Sequence, residues 1–116
     1  MLISTDVSGL ERAVLAIKNG DLVAFPTDTY FALGADGINA KAVQNVFATK
    51  GRNPGTPVPL LVSDSEMAES LCIKFPEPLR KLADSFWPGA LTIVLPAADK
   101  VPAVVTANTG TVGIRV

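Results

Sequence analysis

Apolar and polar positions follow two different periods along this chain, and the switches between them mark its elements. Leu10, Ala13, Val14 and Ile17 recur at helical spacing before Gly20, with Ser8 and Glu11 in capping-box positions. A first helix over about 9–19 is expected. Leu22-Val23-Ala24-Phe25 is a short apolar run without alternation, which predicts a strand buried on both faces. Asn39 is a good N-cap and Gly51 a good stop, and between them Val43, Val46 and Phe47 share the face of a second helix. Val58 to Val62 reads as a strand, which Pro59, lacking an N–H, places at an edge or bulge. Ser63 and Glu66 repeat the capping box and open a short helix ending before Phe75-Pro76. Pro78 suits a helix start, Leu79, Leu82, Ala83 and Phe86 form its apolar face, and Trp87-Pro88-Gly89 stops it. Ala90 to Leu95 is an apolar strand, a proline-containing loop follows, and Thr111 to Val116 alternates as a strand again.

Helices and strands therefore interleave, as in an α/β fold with helices packed on a sheet. One domain over residues 1–116 is expected, with a sheet that breaks off inside its last strand, as in a C-terminally truncated chain. Hydrophobic residues make up 48% and charged residues 18% of the sequence, which argues against disorder. No apolar run approaches the roughly 20 residues of a membrane-spanning helix. The N-terminus lacks the basic start and long apolar stretch of a signal peptide, so a cytoplasmic location is expected.

The chemistry open to the chain is narrowed by what it lacks. It has no histidine, which excludes a Ser-His-Asp triad, a histidine general base and a typical zinc site. Cys72 is the single cysteine, so no internal disulfide forms, and Leu71 and Ile73 beside it predict a buried thiol rather than a nucleophile. A net charge of -1 is not that of a dedicated polyanion binder. Gly34, Gly37, Gly51 and Gly55 match neither a P-loop nor a dinucleotide fingerprint.

Three polar stretches remain. Pro26-Thr27-Asp28-Thr29 places hydroxyls and a carboxylate at a strand's carboxyl end, where open α/β sheets bind small molecules; the same residues also suit a self-satisfied turn. Lys50-Gly51-Arg52 ends the second helix. Spacing from Val46 and Phe47 puts Lys50 on the apolar face, its amine toward the sheet edge, and Arg52 can grip a phosphate or carboxylate bidentately. Both cations also simply complement the negative end of a helix. Thr111, Gly113 and Arg115 share one face of the last strand, a hydroxyl and a cation with no side chain between them; an exposed edge with a solvated arginine is the alternative. Phe86-Trp87-Pro88-Gly89 reads as a packing anchor rather than a base-stacking platform.

Taken in order, four blocks resemble the YrdC family of L-threonylcarbamoyladenylate synthases. They are Pro26-Thr27-Asp28-Thr29-Tyr30-Phe31-Ala32-Leu33-Gly34-Ala35-Asp36, Lys50-Gly51-Arg52, Phe86-Trp87-Pro88-Gly89-Ala90-Leu91-Thr92 and Thr111-Val112-Gly113-Ile114-Arg115-Val116. The resemblance extends from about Leu10 onward. It implies a twisted open mixed sheet with flanking helices, and a nucleotidyltransferase that joins L-threonine, bicarbonate and ATP into threonylcarbamoyl-AMP and pyrophosphate. Threonylcarbamoyl-transferase proteins would then modify tRNA with the product. By matching position, Thr29, Leu61 (through its backbone) and Arg115 would contact L-threonine. Arg52, Thr56 and Thr111 would contact ATP, with Lys50 near the phosphates; Lys50 and Arg52 are the catalytic candidates. Mg2+ is expected with ATP, with Asp28 and Asp36 nearby but suited to turn or capping roles, and no residue is assigned as a resident metal ligand. Where the family usually has Val-Tyr-Gly, this chain has Tyr30-Phe31-Ala32, and Thr56 replaces the more usual Asn or Lys. The family's Ser/Thr-x-Asn segment is expected beyond Val116. Two other readings stand beside the synthase: a double-stranded RNA or tRNA-binding module of the same fold, and a carbamoyl-adenylate-handling domain of the hydrogenase-maturation type.

Overall fold

The computed structural model describes residues 7–26, 31–51, 55 and 57–116. They divide into two compact units, Met1–Arg52 and Asn53–Val116.

In the first unit, helix α1 (Val7–Lys18) is followed by strand β1 (Val23–Pro26), strand β2 (Phe31–Gly34) and helix α2 (Ala40–Lys50). Because α1 opens at Val7, Ser8 lies in its first turn rather than at its cap. β1 and β2 pair antiparallel, Val23 opposite Gly34 and Phe25 opposite Ala32. The second of these strands carries no alternation that marks it from sequence; its pairing with β1 defines it. The two-sided burial expected of β1 is not found, since Ala24 is exposed and Val23 and Phe25 are half-buried. Helix α2 follows its sequence signals closely. The Asn39 side chain accepts from Ala42 N–H at 3.2 Å, and Gly51 adopts φ 66°, where its N–H reaches the carbonyls of Phe47 and Ala48. A left-handed residue at that position is nearly free of strain only as glycine. Ala42, Val43 and Phe47 are buried on the inner side of α2.

The second unit holds the larger core. Strand β3 is only Leu60–Leu61, because Pro57 and Pro59 cannot donate to a ladder, and it sits at an edge as Pro59 requires. Helices α3 (Ser65–Ser70) and α4 (Glu77–Phe86) follow, then β4 (Ile93–Pro96), the short helix α5 (Ala103–Thr106) and β5 (Thr111–Arg115). The sheet order is β3-β5-β4, with β5 parallel to β3 and antiparallel to β4. The α/β fold is thus what the pattern predicts and the mixed sheet what the family resemblance implies, and this unit has both. Leu60, Val62, Ile93, Leu95, Val112 and Ile114 face the core together with Ala68, Leu71, Ala83, Val101 and Val105.

Two local features hold this unit's helices. Asp64, not Ser63, caps α3, its carboxylate accepting from Met67 N–H at 2.8 Å. Arg80 of α4 pairs with Glu69 of α3 and lies over the Phe75 ring, 4.8 Å from its centre. Trp87 packs edge to face on Phe75 with ring centres 6.2 Å apart and donates from Nε1 to the Leu91 carbonyl at 2.8 Å, which gives it the anchoring role expected. The Trp87-Pro88 peptide is cis, and the Gly89 N–H that follows reaches the Val116 carbonyl at 3.2 Å.

Candidate functional site

Alternation along β5 turns Val112 and Ile114 into the core and leaves Thr111, Gly113 and Arg115 on the open face of the sheet. Register then decides their neighbours. Arg115 lies beside Leu61 of β3, Gly113 beside Val94 of β4, and Thr111 beside Pro96. Val94, 61% exposed, stands beside Gly113, and Leu61, 64% exposed, stands beside Arg115, so each aliphatic side chain lies next to a different position of this face. A side chain at Gly113 would meet Thr92 Cγ2 at 3.1 Å, so this centre is both bare and narrow. The result is a concavity of about 330 Å³ lined by Pro59, Thr92, Val94, Thr109, Thr111 and Gly113, among others.

Arg115 stands at one end of this face and Thr111 at the other, about 13 Å apart at the rise of an extended strand. Arg115 is half-buried, and among the described residues it forms no ion pair. A guanidinium in that position is available to an anionic group, which it can grip with two parallel N–H donors. Thr111 is exposed, and its backbone N–H and hydroxyl both meet the Thr109 hydroxyl, at 3.2 and 3.0 Å. The face therefore offers an anion grip, an apolar floor and a polar end, which suits a small elongated ligand.

Three of the residues expected from sequence to bind ligand, Leu61, Thr111 and Arg115, are brought together here. Lys50 ends α2 in the other unit. Its side chain is exposed, as are Ala48 and Thr49 before it, so its ammonium stands in solvent rather than continuing the buried stripe of Val43 and Phe47. Thr29, Arg52, Thr56 and Asp28 lie outside the described residues. Asp36 accepts from Ile38 N–H at 3.1 Å, the turn role expected of it. Among the described residues no three His, Cys, Asp or Glu side chains gather as metal ligands would, and no helix is long and apolar enough to cross a membrane. Sequence reasoning missed Thr92, Val94 and Thr109. Only the alternation of Ile93-Val94-Leu95, with Val94 outward, could have pointed to one of them.

The sequence matches the Sua5/YciO/YrdC family, described as "Telomere recombination", over residues 15–116. The chain belongs to that family. Among curated Sua5/YciO/YrdC relatives it is 42% identical over 99 residues to a threonylcarbamoyl-AMP synthase of Pyrococcus abyssi, covering 85% of this chain and 29% of that protein. It is 37% identical over 114 residues to the enzyme of the same name from Bacillus subtilis, covering 97% and 33%. Among solved structures, the crystal structure of P. abyssi Sua5 complexed with L-threonine matches with a TM-score of 0.91 and 39% identity, over 95% of this chain and 32% of that one. The chain thus spans about a third of the length of these Sua5/YciO/YrdC relatives.

Proposed function

We propose that this chain forms the substrate-binding part of an enzyme that makes threonylcarbamoyl-AMP from L-threonine, bicarbonate and ATP. The observation that carries this reading is the open face of β5, where Arg115, without an ion pair among the described residues, and the Thr109-Thr111 hydroxyls flank a floor without a side chain at Gly113. The threonine amine adds to the bicarbonate carbon with loss of water, giving a carbamate. A carbamate oxygen then attacks the α-phosphorus of ATP, and the bond to the β-phosphate oxygen breaks, its electron pair leaving with pyrophosphate. Two anions must approach one another, so the protein's task is positioning and charge neutralisation rather than proton transfer, and a chain without histidine can perform it. Arg115 would hold the threonine carboxylate beside Leu61, while Lys50 and Arg52 would neutralise the triphosphate. Thr29 would contact the threonine, and Thr56 and Thr111 the nucleotide. Magnesium would arrive with ATP as part of the substrate.

The product would pass, in the cytoplasm, to threonylcarbamoyl-transferase proteins that modify tRNA. Small anions fit this chain better than a polyanion does, because its net charge is -1. The test is pyrophosphate release from ATP, which should require both L-threonine and bicarbonate. Lys50→Ala and Arg52→Ala should each lower it roughly 100-fold, as loss of a preorganised charge contact does. Arg115→Ala should chiefly raise the KM for threonine. Equal release with threonine omitted overturns the proposal.

A further inference from the structure

The Thr109 hydroxyl lies at the centre of four polar contacts, and proton accounting gives three of them a direction. Its oxygen is 2.7 Å from the Thr106 carbonyl, 3.0 Å from the Thr111 hydroxyl, 3.2 Å from Thr111 N and 3.3 Å from the Thr111 carbonyl. A threonine hydroxyl has one proton and two lone pairs. The 2.7 Å separation to a carbonyl, which cannot donate, is the ideal length for an O–H donor and claims that proton. The two lone pairs of Thr109 then accept from Thr111 N–H and from the Thr111 hydroxyl. The contact between the two hydroxyls is then kept only while Thr111 donates into it, and in that arrangement Thr111 presents an accepting oxygen to the concavity beside Gly113.

We infer that Thr111 receives a hydrogen bond from a proton-bearing group on the nucleoside half of the nucleotide, a sugar hydroxyl or the base amino group, and that Thr109 is the positioning residue that sets this polarity. A triphosphate oxygen is fully deprotonated or nearly so at neutral pH and has no proton to give, so the phosphates are excluded from this end of the face. The inference rests on the synthase reading for the nature of the ligand, and on the Thr109 geometry for the direction of the bond.

The experiment is calorimetric titration of the protein with ATP, 2'-deoxy-ATP, 3'-deoxy-ATP, the triphosphate of purine riboside (which lacks the amino group) and inorganic tripolyphosphate. Thr111→Val should weaken ATP about five- to ten-fold, the worth of one hydrogen bond, and leave tripolyphosphate unchanged. One of the three analogues should bind the unsubstituted protein as weakly as Thr111→Val binds ATP, and lose nothing further in that variant; which one does so names the donor. Thr109→Val should erase the discrimination between ATP and that analogue, and Thr109→Ser, which keeps the hydroxyl, should restore it. Equal losses for ATP and tripolyphosphate in Thr111→Val overturn the inference, as does undiminished discrimination in Thr109→Val. Loss of threonine-dependent pyrophosphate release with the discrimination intact overturns the synthase reading alone.

Discussion

Residues differ in how openly they announce their roles. Asn39 and Gly51 were legible because a cap is a local device: an amide oxygen three residues from an N–H, and a backbone angle that glycine tolerates best. Arg115 was legible because alternation in a strand decides its face. Thr109 was not, since its position depends on the turn after α5, where Ala107 and Asn108 both take positive φ, at 54° and 62°. Nothing in an alanine advertises that conformation. Cys72 falls between these cases. It is half-buried rather than buried, with Ile73 beside it exposed, and its thiol reaches the Glu69 carbonyl at 3.7 Å. Burial first, and the Glu69 carboxylate second, push the thiol above its ordinary range, while Arg80 opposes them. A raised value means less thiolate at a given pH. Alkylation of Cys72 by iodoacetamide at pH 8 should therefore be slower than that of a free cysteine, and should keep rising at pH values where the free thiol has levelled off. Levelling at the same pH as free cysteine contradicts this.

Elements were predicted well where period and punctuation agreed, and poorly where an element is defined by its partner. Helices α2 and α4 carry both an apolar face and a stop, and their predicted limits hold. Strand β2 and helix α5 are four residues each, too short for a period to emerge, and went unseen. The strand expected over 58–62 shrank to two residues because of its flanking prolines, although Val62 N–H still reaches the Arg115 carbonyl at 2.9 Å just beyond it. The cap of α3 moved by one residue, from Ser63 to Asp64, since a carboxylate is the stronger acceptor for an orphan N–H. Asp64→Ala should lower stability by about 1 kcal/mol, read as a shift of the denaturant midpoint, while Ser63→Ala should move it by less than half as much. The reverse order would return the cap to Ser63.

At the scale of the molecule, the site depends on one strand. β5 is the middle of three, and its two sides serve core and open face alternately, so stability and ligand binding share a backbone. Ile114 is wholly buried and in register with both Leu60 and Ile93. Ile114→Ala should cost about 3 kcal/mol in chemical denaturation, and a loss below about 1 kcal/mol contradicts the central place given to it. That place also has a consequence for biosynthesis. A ribosome delivers β3 and β4 well before β5, yet each of them pairs with β5 and not with the other. Until β5 joins them, β3 and β4 keep unpaired the edges that face it. The sheet closes through β5 alone, and while that strand is missing those edges are open to pairing with other chains.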